Sequence, residues 1–276
     1  MTQTNNLTAI RTVRFEPTGP SAAGLSDGAT EVMHLHTTEA LALFLGRAST
    51  EQGKTSIPGA RRFAAVMKSL WRLSANDNPY ADWILLQMSE DLRILREDMA
   101  TECARANAVL AEMRAKGLDV SVLAAREPRR LMVVFGSPYG YAVAEAVLEF
   151  DTFARLTKTL VRKDRLTDEQ GRDRIGAIAK RFRSLFLAPI RWERSLLADA
   201  LQALTRTDFL PGANEAARVR VATAVRQLGV VPDAVLTCAE LPRHTRRRDT
   251  LSAEQLFALQ APRALDMAVI GAKVPG

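Results

Sequence analysis

The sequence predicts a mainly α-helical protein with a few short strands, built from long amphipathic helices and one strand-helix-helix unit. Three observations carry that expectation. From Leu85 to Met113 the apolar residues recur at steps of three or four, the period of one helix face. Capping residues stand before several apolar runs: Asn78-Pro79, Thr167 with Gln170, and Ser252 with Gln255. One short run, Arg129–Phe135, alternates with period two, breaks at Gly136-Ser137-Pro138-Tyr139-Gly140 and continues with helical spacing. The 276 residues, 47% hydrophobic and 25% charged, suffice for one large domain or two modest ones with a real core.

The elements follow in order. Residues 1–28 read as a polar, disordered tail without an apolar signal region. Residues 31–36, Glu-Val-Met-His-Leu-His, are strand-like, and Thr37 or Thr38 N-caps a helix that ends near Gly46. Pro58 opens a second helix, whose apolar face is Phe63, Val66, Met67, Leu70 and Trp71. Asp77 or Asn78 caps the longest helix, 79–116, roughly 38 residues and about 55 Å at the usual rise per residue. Such a helix needs a partner, in an antiparallel hairpin of this chain or across a dimer. It belongs to a helical region 29–127, in which 118–128 is a linker or short strand. Helix 139–163 follows the alternating run. The Thr167–Gln170 capping box then opens helix 168–187, with Pro189 as its expected end. A C-terminal helical region, 191–240, is broken by Asp208–Ala216. Residues 241–276 are expected to be a basic, mobile linker (242–249) and a short terminal helix.

The charge is uneven. The chain carries a net +7, and residues 153–194 alone hold twelve Arg or Lys against five Asp or Glu. This local excess suits a polyanion, nucleic acid before an anionic membrane surface, or else a solvated helix face. The cysteines Cys103 and Cys238 are far apart, which fits a reducing cytoplasm and argues against a disulfide scaffold or zinc finger. No apolar run approaches the roughly 20 residues of a membrane span.

The residues offer little to catalysis. Gly53-Lys54-Thr55 follows Gly46 by six intervening residues where a phosphate-binding loop needs four. His34 and His36 share a strand face, but the third histidine, His244, lies in the basic linker, so a metal site lacks ligands. No Gly-x-Ser-x-Gly supports a hydrolase. The expectation is no catalytic residue, no metal, no cofactor and no small-molecule ligand.

Alternation sends Leu131, Val133 and Phe135 to one face of the strand, and Arg130, Met132 and Val134 to the other. A lone strand needs a partner, and the same strand of a second copy, paired antiparallel, would make a ribbon-helix-helix unit at 128–190. Arg129, Arg130, Met132 and Val134 would then enter a major groove. Arg162, Lys163, Arg165 and Arg172, around the following turn, would hold phosphates. The other reading is a buried strand filling a gap in a helical core. The residues alone favour it, since Met132 and Val134 offer no hydrogen bonds.

Six short motifs add a resemblance. They are His36-Thr37, Gly46-Arg47, Arg61-Arg62-Phe63, Asn78-Pro79-Tyr80-Ala81-Asp82-Trp83, Phe135-Gly136-Ser137-Pro138-Tyr139-Gly140 and Phe150-Asp151. In this order, over about residues 30–240, the sequence resembles the integrating-conjugative-element protein family that includes AcaB-like transcriptional regulators. Gly136 and Val134 depart from it, standing where Ser and Asn are common. The resemblance implies a cytoplasmic, non-enzymatic, dimeric DNA-binding regulator of conjugation genes on a mobile element, with a ribbon-helix-helix fold. The ribbon is expected at 129–135, with 31–36 as the rival location. The alternative from another class is a helical scaffold of the transfer apparatus, with the 79–116 helix as its working surface.

Overall fold

A computed structural model describes residues 31–47, 56–245, 247 and 251–260. Strand β1 (Val32–Leu35) leads into helix α1 (Thr38–Leu45). The two-residue strands β2 (Gly46–Arg47) and β3 (Ile57–Pro58) pair antiparallel. Helices α2 (Ala60–Ala75) and α3 (Pro79–Ala115) follow, then β4 (Arg129–Met132), α4 (Pro138–Arg162) and α5 (Asp168–Leu196). A 3-10 turn at Arg206–Phe209 precedes α6 (Glu215–Leu228), α7 (Asp233–Leu236) and α8 (Ala253–Gln260).

The caps stand where the sequence places them. Asn78 Oδ1 accepts from the N–H groups of Tyr80 and Ala81, both at 3.0 Å, with Pro79 in the first turn. Thr37 is the cap of α1, and Thr167 with Gln170 forms the reciprocal capping box of α5. The Ser252–Gln255 box also forms, through bonds of 2.8 and 3.1 Å.

The partner of α3 is its own chain. Its stripe Leu85, Met88, Leu92, Leu95 and Met99 is buried with residues of α2, α4 and α5, in one cluster that runs from Met33 to Leu236. Phe63, Phe186, Phe182 and Phe150 stack through it at centroid distances of 5.2, 5.8 and 5.6 Å. A smaller cluster, Ala106, Leu110, Met113, Leu156 and Leu160, joins the end of α3 to the end of α4.

Three expectations change. Strand 129–135 is shorter, Arg129–Met132, and its partner is β1 of the same chain, not a second copy. The two rival ribbons are thus the two strands of one antiparallel pair, Val32 opposite Met132 and Leu35 opposite Arg129. Helix α5 does not stop at Pro189 but continues to Leu196. An interior proline costs about 3 kcal/mol, and burial of Pro189 and Leu196, with the Glu193–Arg62 pair, works against that cost. The basic stretch near the C-terminus is packed where it is described. Tyr139 donates to the His244 carbonyl at 3.1 Å, the Thr245 and Ser74 hydroxyls lie 3.0 Å apart, and Arg247 reaches Asp82 at 2.6 Å. The Lys54 stretch lies outside the described residues.

Candidate nucleic-acid interface

The first component is the β1–β4 ribbon. Met33 and Leu35 of β1 and Val133 after β4 are buried, and Leu131 and Phe135 are half-buried. Their alternation turns Arg130, Met132 and Val134 outward, with Met132 73% and Val134 85% exposed. Across the pair, exposed His34 stands opposite Arg130 and half-exposed Val32 opposite Met132. One end of the outer face is therefore cationic and the other apolar. Arg129 is exposed beside it.

The corner between β1 and α1 is tied to α4. Asp151 Oδ1 accepts from the Thr37 N–H at 2.8 Å and the Thr37 hydroxyl at 2.7 Å, and the His36 N–H donates to Oδ2 at 3.1 Å. The segment between α3 and β4 is clamped on the same side. Ala125 N–H donates to His36 Nδ1, Leu123 N–H to Thr159 Oγ1, and Arg155 Nε to the Leu123 carbonyl. His36 is therefore a fold contact, and among the described residues no cluster of His, Cys, Asp or Glu forms a metal site.

The second component is a groove of about 810 Å³ between α1, the end of α4 and α5. Gly171, Gly176 and Ala179 leave its floor low, and Lys158, Arg162, Arg172 and Arg183 stand around it with Glu39 and Asp168. Lys158 pairs with Glu39 at 2.7 Å. Burial opposes ionisation of Glu39, but the hydrogen bond and charge of Lys158 prevail and hold its carboxyl below the ordinary range. Arg162, Arg172 and Arg183 pair with no carboxylate among the described residues. Their neighbours on α5 differ: Arg181 pairs with Asp98 of α3 at 2.6 Å, and Arg174 lies 3.8 Å from Glu102.

Of the sequence-predicted residues, Arg162 and Arg172 meet in the groove. Lys163 and Arg165 lie on the α4–α5 turn beyond it, and Arg129, Arg130, Met132 and Val134 lie on the ribbon. Arg183 was missing from the predicted set. Its signal was its spacing, since three helical turns after Arg172 return to the same face.

The six motifs do other work. Asp82 and Arg206 are wholly buried and paired at 2.7 Å. Arg206 also bonds Asp77 at 2.7 Å and the carbonyls of Val235 and Leu236. Tyr80 donates to the Gly229 carbonyl at 2.7 Å, and Trp83 meets Trp192 edge-on at 5.0 Å. Arg62 pairs with Glu193 at 2.7 Å. Gly46 and Gly59 touch so closely that a Cβ on Gly59 would lie 2.3 Å from the Gly46 nitrogen. These residues join distant elements to each other and hold the fold.

Comparison with known proteins agrees with this architecture. The profile of the transcriptional regulator AcaB family matches residues 24–248, and the chain belongs to that family. The solved structure of selenomethionine-containing AcaB from uropathogenic E. coli superposes with a TM-score of 0.50 at 16% identity, over 75% of this chain and 94% of that one. That likeness is one of fold. No curated protein matches the chain. Among the described residues, no helix is long and apolar enough to cross a membrane.

Proposed function

We propose that this member of a family of transcriptional regulators binds double-stranded DNA directly, as a non-enzymatic, cytoplasmic regulator of transfer genes on an integrative conjugative element. One observation carries the reading. Arg162, Arg172 and Arg183 line one groove without a carboxylate partner among the described residues, while Arg174 and Arg181 of α5 are paired to α3. Uncompensated guanidinium groups gathered on one surface suit phosphates. Lys163 and Arg165 extend the same surface along the turn.

The ribbon supplies base contacts. Arg130 offers the donors that read guanine, and Met132 and Val134 offer apolar contact to thymine methyl groups. The edge of β4 away from β1 has no strand partner among the described residues. A second copy pairing along that edge sets the two β4 strands side by side at the centre of a four-stranded sheet, which presents Arg130, Met132 and Val134 of both copies on one face. Arg129 and the β1 strands then flank the two β4 strands near the phosphates. The scaffold alternative loses support, because the apolar stripe of α3 is spent on the core and Arg93 on its outer side pairs with Glu90 and Glu97.

The test is binding to promoter DNA of the protein's own element against scrambled DNA, in a salt series. Six or more phosphate contacts predict a loss of roughly a thousandfold in affinity between about 50 and 200 mM salt. Equal, salt-independent binding of both DNAs would sink the reading. Light scattering with and without DNA reports the dimer.

A further inference from the structure

A cleft of about 740 Å³ opens between α2, α3, the start of α4 and residues 243–244. Its floor includes Met67, Met88, Leu92 and Met99, all buried. Unbranched thioether side chains re-pack around whatever enters. The size and apolar lining match those of small-molecule sites. The charged groups at its rim are of two kinds. Arg96 donates to Glu149 through Nε and Nη2, and Arg93 is held between Glu90 and Glu97. Both are fully engaged. Arg243, next to His244, is exposed and has no carboxylate partner among the described residues.

We propose that this cleft binds a small amphiphilic anion, its acyl or aromatic body over the methionines and its carboxylate on Arg243. An apolar floor with one uncommitted cation at the rim is complementary to that chemistry, since a charge-assisted bond at the mouth adds to apolar burial below. Occupancy is felt at the ribbon. The cleft wall includes Tyr139, whose neighbours Gly140 and Tyr141 hold Phe135: the Phe135 ring fills the space a Cβ on Gly140 would take, and it meets Tyr141 edge-on at 5.3 Å. Tyr141 in turn bonds Glu31, whose carbonyl accepts the Val133 N–H at 3.0 Å. A ligand pressing on Tyr139 therefore moves the end of β4. This regulatory consequence rests on the DNA-binding reading, whereas the ligand site does not.

Calorimetric titration of the full chain with sodium decanoate, and with decan-1-ol as its uncharged counterpart, decides the matter. Decanoate is expected to bind saturably at one site. Decanol, or decanoate to Arg243→Ala, is expected to bind at least about tenfold more weakly, the loss of one charge-assisted bond. Ala142→Trp fills the cleft from a half-exposed lining position and is expected to abolish uptake, with circular dichroism checking that helix content is unchanged; if it unfolds, Ala142→Leu replaces it. No saturable uptake by the wild type, as when another part of a chain occupies the cleft, overturns the site. Uptake unchanged in the filled variant does the same, and equal affinity for acid and alcohol overturns the anion. Fluorescence anisotropy on promoter DNA is the second arm. DNA affinity unaltered by saturating decanoate overturns the link to the ribbon. Absence of DNA binding itself condemns only the earlier reading and leaves the calorimetry standing.

Discussion

Two groups of arginines in this protein have opposite fates. Arg206, with no exposed side-chain surface, and the half-buried Arg247 are tied to Asp77 and Asp82. Arg162, Arg172 and Arg183 lie around an open groove and form no ion pair among the described residues. A buried cation persists only when its partners are built around it, because desolvation penalises the unpaired charge by several kcal/mol. A surface cation costs the fold almost nothing and remains available to an outside anion. The same residue type is therefore spent on stability in one region and left accessible to an outside anion in the other. The difference lies in the partners and not in the arginine.

The comparison breaks most visibly at Arg206. Arg206→Met leaves Asp77 and Asp82 short of their main counter-charge, and the expected cost is about 3–5 kcal/mol of stability, read by denaturant unfolding. Asp151→Ala comes next. It removes the acceptor of the His36 and Thr37 N–H groups and the Thr37 hydroxyl, and the expected cost is about 2–3 kcal/mol. On the surface side, Arg162→Ala/Arg172→Ala/Arg183→Ala is expected to leave stability within about 0.5 kcal/mol. The same triple variant should lower the slope of log affinity against log salt by about 0.9 per arginine. A large loss of stability instead would show that these arginines belong with the buried group. Arg130→Ala sharpens the line between backbone grip and base reading: an expected loss of about 1–3 kcal/mol confined to the promoter sequence, with scrambled DNA unaffected.

The smallest effect is a titration. Burial, with the charge of Asp82, pushes the Tyr139 phenol up to about 12 from an ordinary 10.0. The neutral phenol is the favoured form in the fold. Its contribution is complete below pH 10 and is lost as pH rises through about 12. Ultraviolet titration should show Tyr139 ionising late, as a step that Tyr139→Phe removes.

Much of the architecture was legible because its signals are local. The bounds of α3, the Asn78 and Thr37 caps and the Thr167–Gln170 box depend on residues three or four apart. The outward set Arg130, Met132 and Val134 follows from strand alternation alone. The site was half legible. Arg162 and Arg172 were recognisable as cations near a turn, but nothing near them in sequence shows that Arg174 faces Glu102 and Arg181 faces Asp98 while Arg172 and Arg183 face α1.

By itself the sequence determined the helical class, the caps, the two faces of the β4 strand and the concentration of positive charge at 153–194. Only the tertiary structure decided that β1 pairs with β4, that α5 runs through Pro189, that Arg247 is tied to Asp82 and which cations go unpaired among the described residues. Val32 and Met132, His36 and Asp151, and Arg206 and Asp82 are each about a hundred or more residues apart. Such contacts arise only when the core closes, and burial then outweighs the local preferences that the sequence displays.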